Sequence, residues 1–156
     1  MAWGRSGFRV PSGPQMKIFV ICSKVFYSKI PEIKKELEIS GHEIELPNCF
    51  DDPEAENKIK NFSREEHSRW KAEMLKHSTE VIQNCDVVLV LNFEKNGIKN
   101  YIGGATFLEM YDAFKLNKKI FLYNQIPEGI LKDEINGFSP VIIEGDLKKI
   151  QTGRKG

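Results

Sequence analysis

The chain has almost no excess of charge: 23 Lys and Arg stand against 22 Asp and Glu in 156 residues, a formal net charge of +1. That balance creates no field that gathers polyanions, and the basic residues are scattered among acids instead of forming a stripe, so nucleic acid is not an expected partner. Long apolar runs are missing too. A stretch such as residues 87–91 falls far short of the roughly 20 residues that cross a bilayer. The first residues also lack the apolar core of a secretion signal, so no membrane partner and a cytoplasmic location are expected. Cysteine is scarce: Cys22, Cys49 and Cys85 form no CxxC pair and are odd in number, the pattern of reduced thiols and not of disulfides or structural zinc. The three histidines show no ligand spacing with them, so no metal is expected.

What is present starts at Met16. Residues 1–15 (MAWGRSGFRVPSGPQ) are rich in Gly, Pro, Ser and Arg without helical or strand period, and with residues 151–156 they read as disordered tails around one domain, 16–150. Residues 17–22 (KIFVIC), 86–92 (DVVLVLN) and 118–124 (KKIFLYN) are β-branched and aromatic runs that suit strands buried on both faces. Residues 42–47 (HEIELP) and 140–145 (PVIIEG) complete a set of five strands. Between them lie helical patterns. Ile30, Ile33, Leu37 and Ile39 recur at helical spacing before Gly41, after a loop at 23–28, and Asp52-Pro53 starts a short helical turn. Ser63 and Glu66 have capping-box spacing ahead of a long helix whose apolar stripe is Trp70, Met74, Val81 and Cys85, with Leu75 and Ile82 beside it. Another short helix falls around 127–135. Strands alternating with helices predict an α/β fold: a doubly wound, five-stranded parallel sheet of flavodoxin/Rossmann type, order 2-1-3-4-5, with helices on both faces. Its switch point lies between the first and third strands, where ligands bind beyond the carboxyl ends.

The loops arriving there carry the candidate site. Residues 100–114 (NYIGGATFLEMYDAF) set two glycines directly before a helix. Glycine costs a helix interior about 1 kcal/mol, but at the entrance it lets backbone approach a ligand, and the unpartnered N–H groups of a helix start suit a phosphate, a ribose oxygen or a carboxylate. Gly103, Gly104 and Thr106 are therefore binding candidates, with Tyr101 in the same turn. Along this helix Ala105, Leu108, Ala113 and Phe114 are expected toward the sheet, and Glu109, one turn after Ala105, near the crevice. A partly desolvated carboxylate there suits nucleophilic attack on an anomeric carbon. At the mouth of the first strand stand Cys22 and Ser23, with Phe26 or Tyr27 placed to stack on a base. Asn92 ends the third strand and could bond a ribose hydroxyl. His67 to Trp70 could line a pocket, though Trp70 reads more naturally as core. The loop at 23–28 lacks a Ser/Thr/Gly-rich phosphate cradle, which argues against an FMN site.

The blocks at 18–23 (IFVICS), 85–92 (CDVVLVLN) and 100–127 (NYIGGATFLEMYDAFKLNKKIFLYNQIP) together resemble the nucleoside 2-deoxyribosyltransferase-like superfamily, over about residues 17–150. The resemblance implies that a glycine-rich turn opens a helix whose glutamate, here Glu109, attacks C1′ of a nucleoside or nucleotide, releases the base, and passes the sugar to another base or to water without a cofactor. In that family an acid eight residues before the aspartate opening the third strand helps protonate the leaving base. Here that position is Ser78, with His77 beside it as the candidate proton donor. The acid often found in the turn before the nucleophile helix is replaced by the 101–103 stretch. The alternative is a nucleotide-binding or sensing module that keeps the fold without turnover. Members commonly self-associate, and Tyr111 and Phe107 would offer a helix face for a homodimer.

Overall fold

Three apolar runs become the middle of a parallel sheet. A computed structural model describes residues 15–48, 50–52 and 54–150, with Glu56 described by its backbone alone. The tails expected at 1–15 and 151–156 lie outside the described residues except for Gln15, as does Cys49. The strands are β1 (Lys17–Ile21), β2 (Glu43–Glu45), β3 (Val87–Val90), β4 (Lys119–Leu122) and β5 (Val141–Ile142), hydrogen-bonded in the order β2-β1-β3-β4-β5 and parallel throughout. The helices are α1 (Ile30–Ile39), α2 (Ala55–Lys60), α3 (Arg64–Gln83), α4 (Gly104–Lys115) and α5 (Lys132–Gly137). The fold is thus the doubly wound α/β arrangement read from the sequence.

Strand residues alternate between two apolar layers because successive side chains point to opposite faces. Ile18, Val20, Val87, Leu89 and Phe121 pack with Ile30, Ile33 and Leu37 of α1. Phe19, Ile21, Val88, Val90, Ile120 and Leu122 pack with Ile82 of α3, Met110 and Ala113 of α4 and Ile135 of α5. Residues 23–28, read as loop, instead contribute to a 3-10 helix over Lys24–Lys29 that runs straight into α1. Ile39 is 70% exposed and leaves the α1 stripe. Cys22 and Cys85 are buried free thiols, and no described helix is long and apolar enough to cross a membrane.

Two helices determine the site. In α3 the expected capping box forms: the Glu66 N–H donates to Ser63 Oγ at 3.1 Å and the Ser63 N–H to Glu66 Oε1 at 2.8 Å. Its 20 residues make a rod about 30 Å long, whereas the 4 residues of β3 extend about 13 Å. The carboxyl half of α3 packs on the sheet through Ile82, and the amino half overhangs the edge where the strands end. In α4 the inward face is Thr106, Met110 and Ala113, which corrects the expected set: Ala105 is exposed, and Leu108 and Phe114 are 46% and 45% exposed. Phe107 turns toward α5, its ring centroid 5.6 Å from that of Phe138, and so is less available for a helix-face contact than Tyr111, which is 45% exposed.

Candidate active site

A cavity of about 570 Å³ opens above the carboxyl ends of β1 and β3, at the expected switch point. Cys22 and Ser23 leave β1 to form its floor, and Tyr27 of the 3-10 helix stands beside them. Pro47 and Asn48 arrive from β2. Along α3, from its overhanging end inward, His67, Trp70, Lys71, Met74, Leu75 and Ser78 line the cavity. The loop after β3 and the start of α4 close the remaining side with Lys95, Tyr101, Gly103, Gly104, Thr106 and Glu109.

The centre of this arrangement is Glu109. The Ser78 hydroxyl donates to Glu109 Oε2 at 2.7 Å, and the Asn48 side-chain amide donates to Ser78 Oγ at 3.0 Å and to the Met74 carbonyl at 3.2 Å. A second hydroxyl–carboxylate pair lies one turn along, with Thr79 Oγ1 2.6 Å from Asp112 Oδ2, so α3 and α4 are clipped together at both carboxyls. Removal from water raises the Glu109 carboxyl from 4.5 to about 7; the Ser78 hydrogen bond opposes this, Asp112 adds to it and Lys71 opposes it. The carboxyl therefore exchanges its proton near neutrality while one oxygen is fixed by α3. A perturbed carboxyl facing a cleft is a candidate functional group.

The glycines play separate roles. Gly103 is the N-cap, with extended backbone, no side-chain cap and no acid in the first helical turn. A Cβ there would stand 3.3 Å from Tyr101 Oη, so the missing side chain lets the tyrosine ring lie against the helix entrance. A Cβ on Gly104 would meet nothing within 4 Å, because this residue faces open space.

Glu109, Cys22, Ser23, Tyr101, Gly103, Gly104 and Thr106, all candidates from the sequence, meet around the cavity. His77, Phe26 and Asn92 do not. His77 points away: its side chain is 56% exposed and 3.8 Å from Glu80 Oε1, because helical rotation turns it outward when Ser78 turns in. Phe26 is buried and packs edge-on against Phe93 at 5.5 Å, leaving Tyr27 on the cavity wall. Asn92 has no exposure and its side chain is fully engaged. Its amide donates to the Asn124 and Gln125 carbonyls at 3.2 and 2.9 Å, and its oxygen accepts the Asn124 N–H at 2.8 Å. It ties the ends of β3 and β4 together. Trp70, read as core, is only partly buried and lines the cavity. Burial and then the charge of Glu109 push the Cys22 thiol up to about 12, which disfavours the thiolate that a nucleophile needs. Asn48 and Lys95 were not singled out from the sequence, although the carboxyl end of β2 and the turn after β3 both lead to this edge of the sheet.

Among the described residues no group of His, Cys, Asp and Glu is arranged to hold a metal ion. No protein-family model and no curated protein matches the chain. The solved structures similar to it include a 2-deoxyribosyltransferase and a CMP N-glycosidase. The former is from the psychrotolerant bacterium Bacillus psychrosaccharolyticus, at 19% identity and a TM-score of 0.48 over 68% of this chain and 70% of that one. The latter is from Clostridium botulinum, at 15% identity and a TM-score of 0.43 over 81% of this chain and 84% of that one.

Proposed function

We propose that this protein breaks or exchanges the N-glycosidic bond of a nucleoside or nucleotide, with Glu109 as the nucleophile. The observation that carries this reading is a carboxyl group raised to about 7 that faces a cavity of about 570 Å³ while one of its oxygens is held at 2.7 Å by Ser78. Cavities of this size fit a small organic ligand. The sequence resemblance around residues 100–127 supports the same role for Glu109.

The ionised carboxylate attacks C1′ of the sugar, a C1′–O bond forms, and the C1′–N bond breaks with its electron pair going to the base. The departing base takes up a proton from solvent or from His67, the imidazole on the cavity wall. Water or a second base then attacks C1′, the ester bond breaks, and Glu109 is regenerated. No cofactor takes part. Trp70 and Tyr27 provide aromatic surface for the base.

Glu109 is the sole carboxylate among the described lining residues, which favours a second reading, a nucleotide-binding or sensing module without turnover. Pairing of two copies through α4 is part of either reading, supported by the exposure of Leu108, Tyr111 and Phe114 at 46%, 45% and 45%. Incubation with a panel of deoxynucleosides, ribonucleosides and their 5′-monophosphates, read by base release and by mass spectrometry of the intact chain, tests the enzyme. Base release with a pentosyl adduct that maps to Glu109 is expected. Saturable binding with neither product nor adduct would establish the sensor.

A further inference from the structure

Asn48 enters the cavity wall just past the end of β2, and its backbone is held there. The Tyr27 hydroxyl donates to the Asn48 carbonyl at 3.1 Å, and beside it the Phe50 N–H donates to the Pro47 carbonyl at 3.1 Å. The side chain reaches across to α3, where its amide lies 3.2 Å from the Met74 carbonyl and 3.0 Å from Ser78 Oγ. A carbonyl oxygen only accepts, so the Asn48 atom that faces Met74 is the nitrogen, whichever way the amide is turned at first. That nitrogen carries two hydrogens, and the second goes to Ser78 Oγ.

The direction of the Ser78 hydroxyl follows. A serine inside a helix has a ready acceptor in the carbonyl four residues back. For Ser78 that acceptor is Met74, which the Asn48 amide already occupies. Thr79, the next residue along, receives no such amide. Its Oγ1 lies 3.2 Å from the Leu75 carbonyl and 2.6 Å from Asp112 Oδ2, so one proton is divided between two acceptors. Ser78 Oγ, by contrast, accepts from Asn48 and has a single destination for its own proton, Glu109 Oε2 at 2.7 Å. Ser78 is 3% exposed, which leaves little room for water to compete. The other carboxyl oxygen, Oε1, makes no hydrogen bond to a described residue and is not sealed in.

We infer that Asn48 is a positioning residue for the Glu109 nucleophile: by filling the Met74 carbonyl and one lone pair of Ser78 Oγ, it commits the Ser78 proton to Oε2 and leaves Oε1 as the oxygen that bonds to C1′. The inference rests on the N-glycosidic reading of Glu109. Asn48 acts through Ser78 and not on the substrate, and it keeps a donor turned toward the carboxyl throughout. A donor favours the ionised form that attacks. The other titratable or charged groups that face Glu109 are Lys71 on α3, Asp112 on α4 and Cys22 at the end of β1. None of them is hydrogen-bonded to Asn48, so replacing Asn48 reaches Glu109 by way of the Ser78 hydroxyl.

Carbon-13 NMR titration of the full chain, labelled at the glutamate side-chain carboxyl carbon, reads the Glu109 midpoint without turnover, the signal being assigned by its loss in Glu109→Gln. Asn48→Ala should raise that midpoint above about 7 by about half a pH unit or more, a part of what loss of the hydroxyl itself would give. In a Ser78→Ala background the same substitution should move it by less than about 0.3 unit. The acidic limb of kcat/KM for base release should follow the midpoint, with a loss of about threefold near pH 6 and a smaller change on the alkaline plateau. Asn48→Ser, which can donate only once, should shift the midpoint in the same direction and serves where the alanine variant does not fold. An unmoved midpoint in the Asn48 variants, or an equal rise with and without the Ser78 hydroxyl, overturns the inference. A midpoint that rises only when Ser78 is present, in a chain that never releases base, overturns the catalytic reading and leaves the hold of Asn48 on the carboxyl standing. Base release whose acidic limb ignores Asn48 does the reverse.

Discussion

Replacing Glu109 by Gln should stabilise the protein at alkaline pH and do little at acid pH. The side chain keeps its shape, and its carbonyl oxygen can still accept the Ser78 hydroxyl proton that now lies 2.7 Å away. What disappears is a buried charge. Groups that face this carboxyl from neighbouring elements are Ser78 and Lys71 on α3, Asp112 on α4 itself and Cys22 at the end of β1, and burial outweighs the favourable pair of them. The folded-state value of about 7 stands above the unfolded 4.5, so the native chain holds a proton that the unfolded chain has released. Stability is therefore fully present below about 4.5 and is lost as pH rises through about 7. At about 1.4 kcal/mol for each tenfold change in proton affinity, the loss is at most about 3 kcal/mol. Residual solvent contact makes about 1 to 3 kcal/mol the expected range at pH 8. Urea denaturation of both chains at pH 4, 6 and 8 reads the difference directly, because every other titrating group is common to the pair and cancels. A gap that stays constant across that range, or a variant less stable at pH 8, would refute the assignment of Glu109 as a desolvated acid.

Ser78→Ala removes the hydrogen bond that favours the ionised carboxylate. A bond to a charged group contributes about 1.5 to 3 kcal/mol, so the acidic limb of the rate–pH profile should move up by about one to two pH units from about 7. The alkaline plateau should change less, which a simple loss of folded protein would not reproduce. Asn92→Ala orphans the Asn124 and Gln125 groups that its side chain satisfies and should cost about 3 kcal/mol in chemical denaturation. Nucleotide affinity, measured well below the unfolding midpoint, should stay within about twofold, a change of less than half a kcal/mol.

The sheet was legible because periodicity and burial agree there: residues 17–22, 86–92 and 118–124 have no polar side to confuse the pattern, and chain order then dictates topology. The faces of α4 were not legible, since Ala105, Thr106, Phe107, Leu108, Met110 and Tyr111 put apolar or small residues all round its first turns. A stripe chosen by hydrophobicity alone there takes Leu108, whereas the inward residue is Thr106, whose hydroxyl has a cavity to face. Trp70 was misread for a different reason. It obeys the apolar stripe of α3, but the stripe continues past the end of the sheet that would have covered it. Glu109 stands out in the sequence because a helix carboxylate close to the switch point is conspicuous. Its neighbour Ser78 stands out only through the family resemblance, and Asn48 not at all, because an amide side chain carries no sequence signal until the fold places it 26 to 30 residues away from what it touches.

The unequal lengths of α3 and its neighbouring strands separate two demands that most helices must meet with the same residues. Ile82, near one end, answers to the packed interior, whereas Trp70, Lys71 and Met74, near the other, answer to whatever occupies the hollow. Mutations could therefore exchange one occupant for another along a single helix while the architecture is left undisturbed.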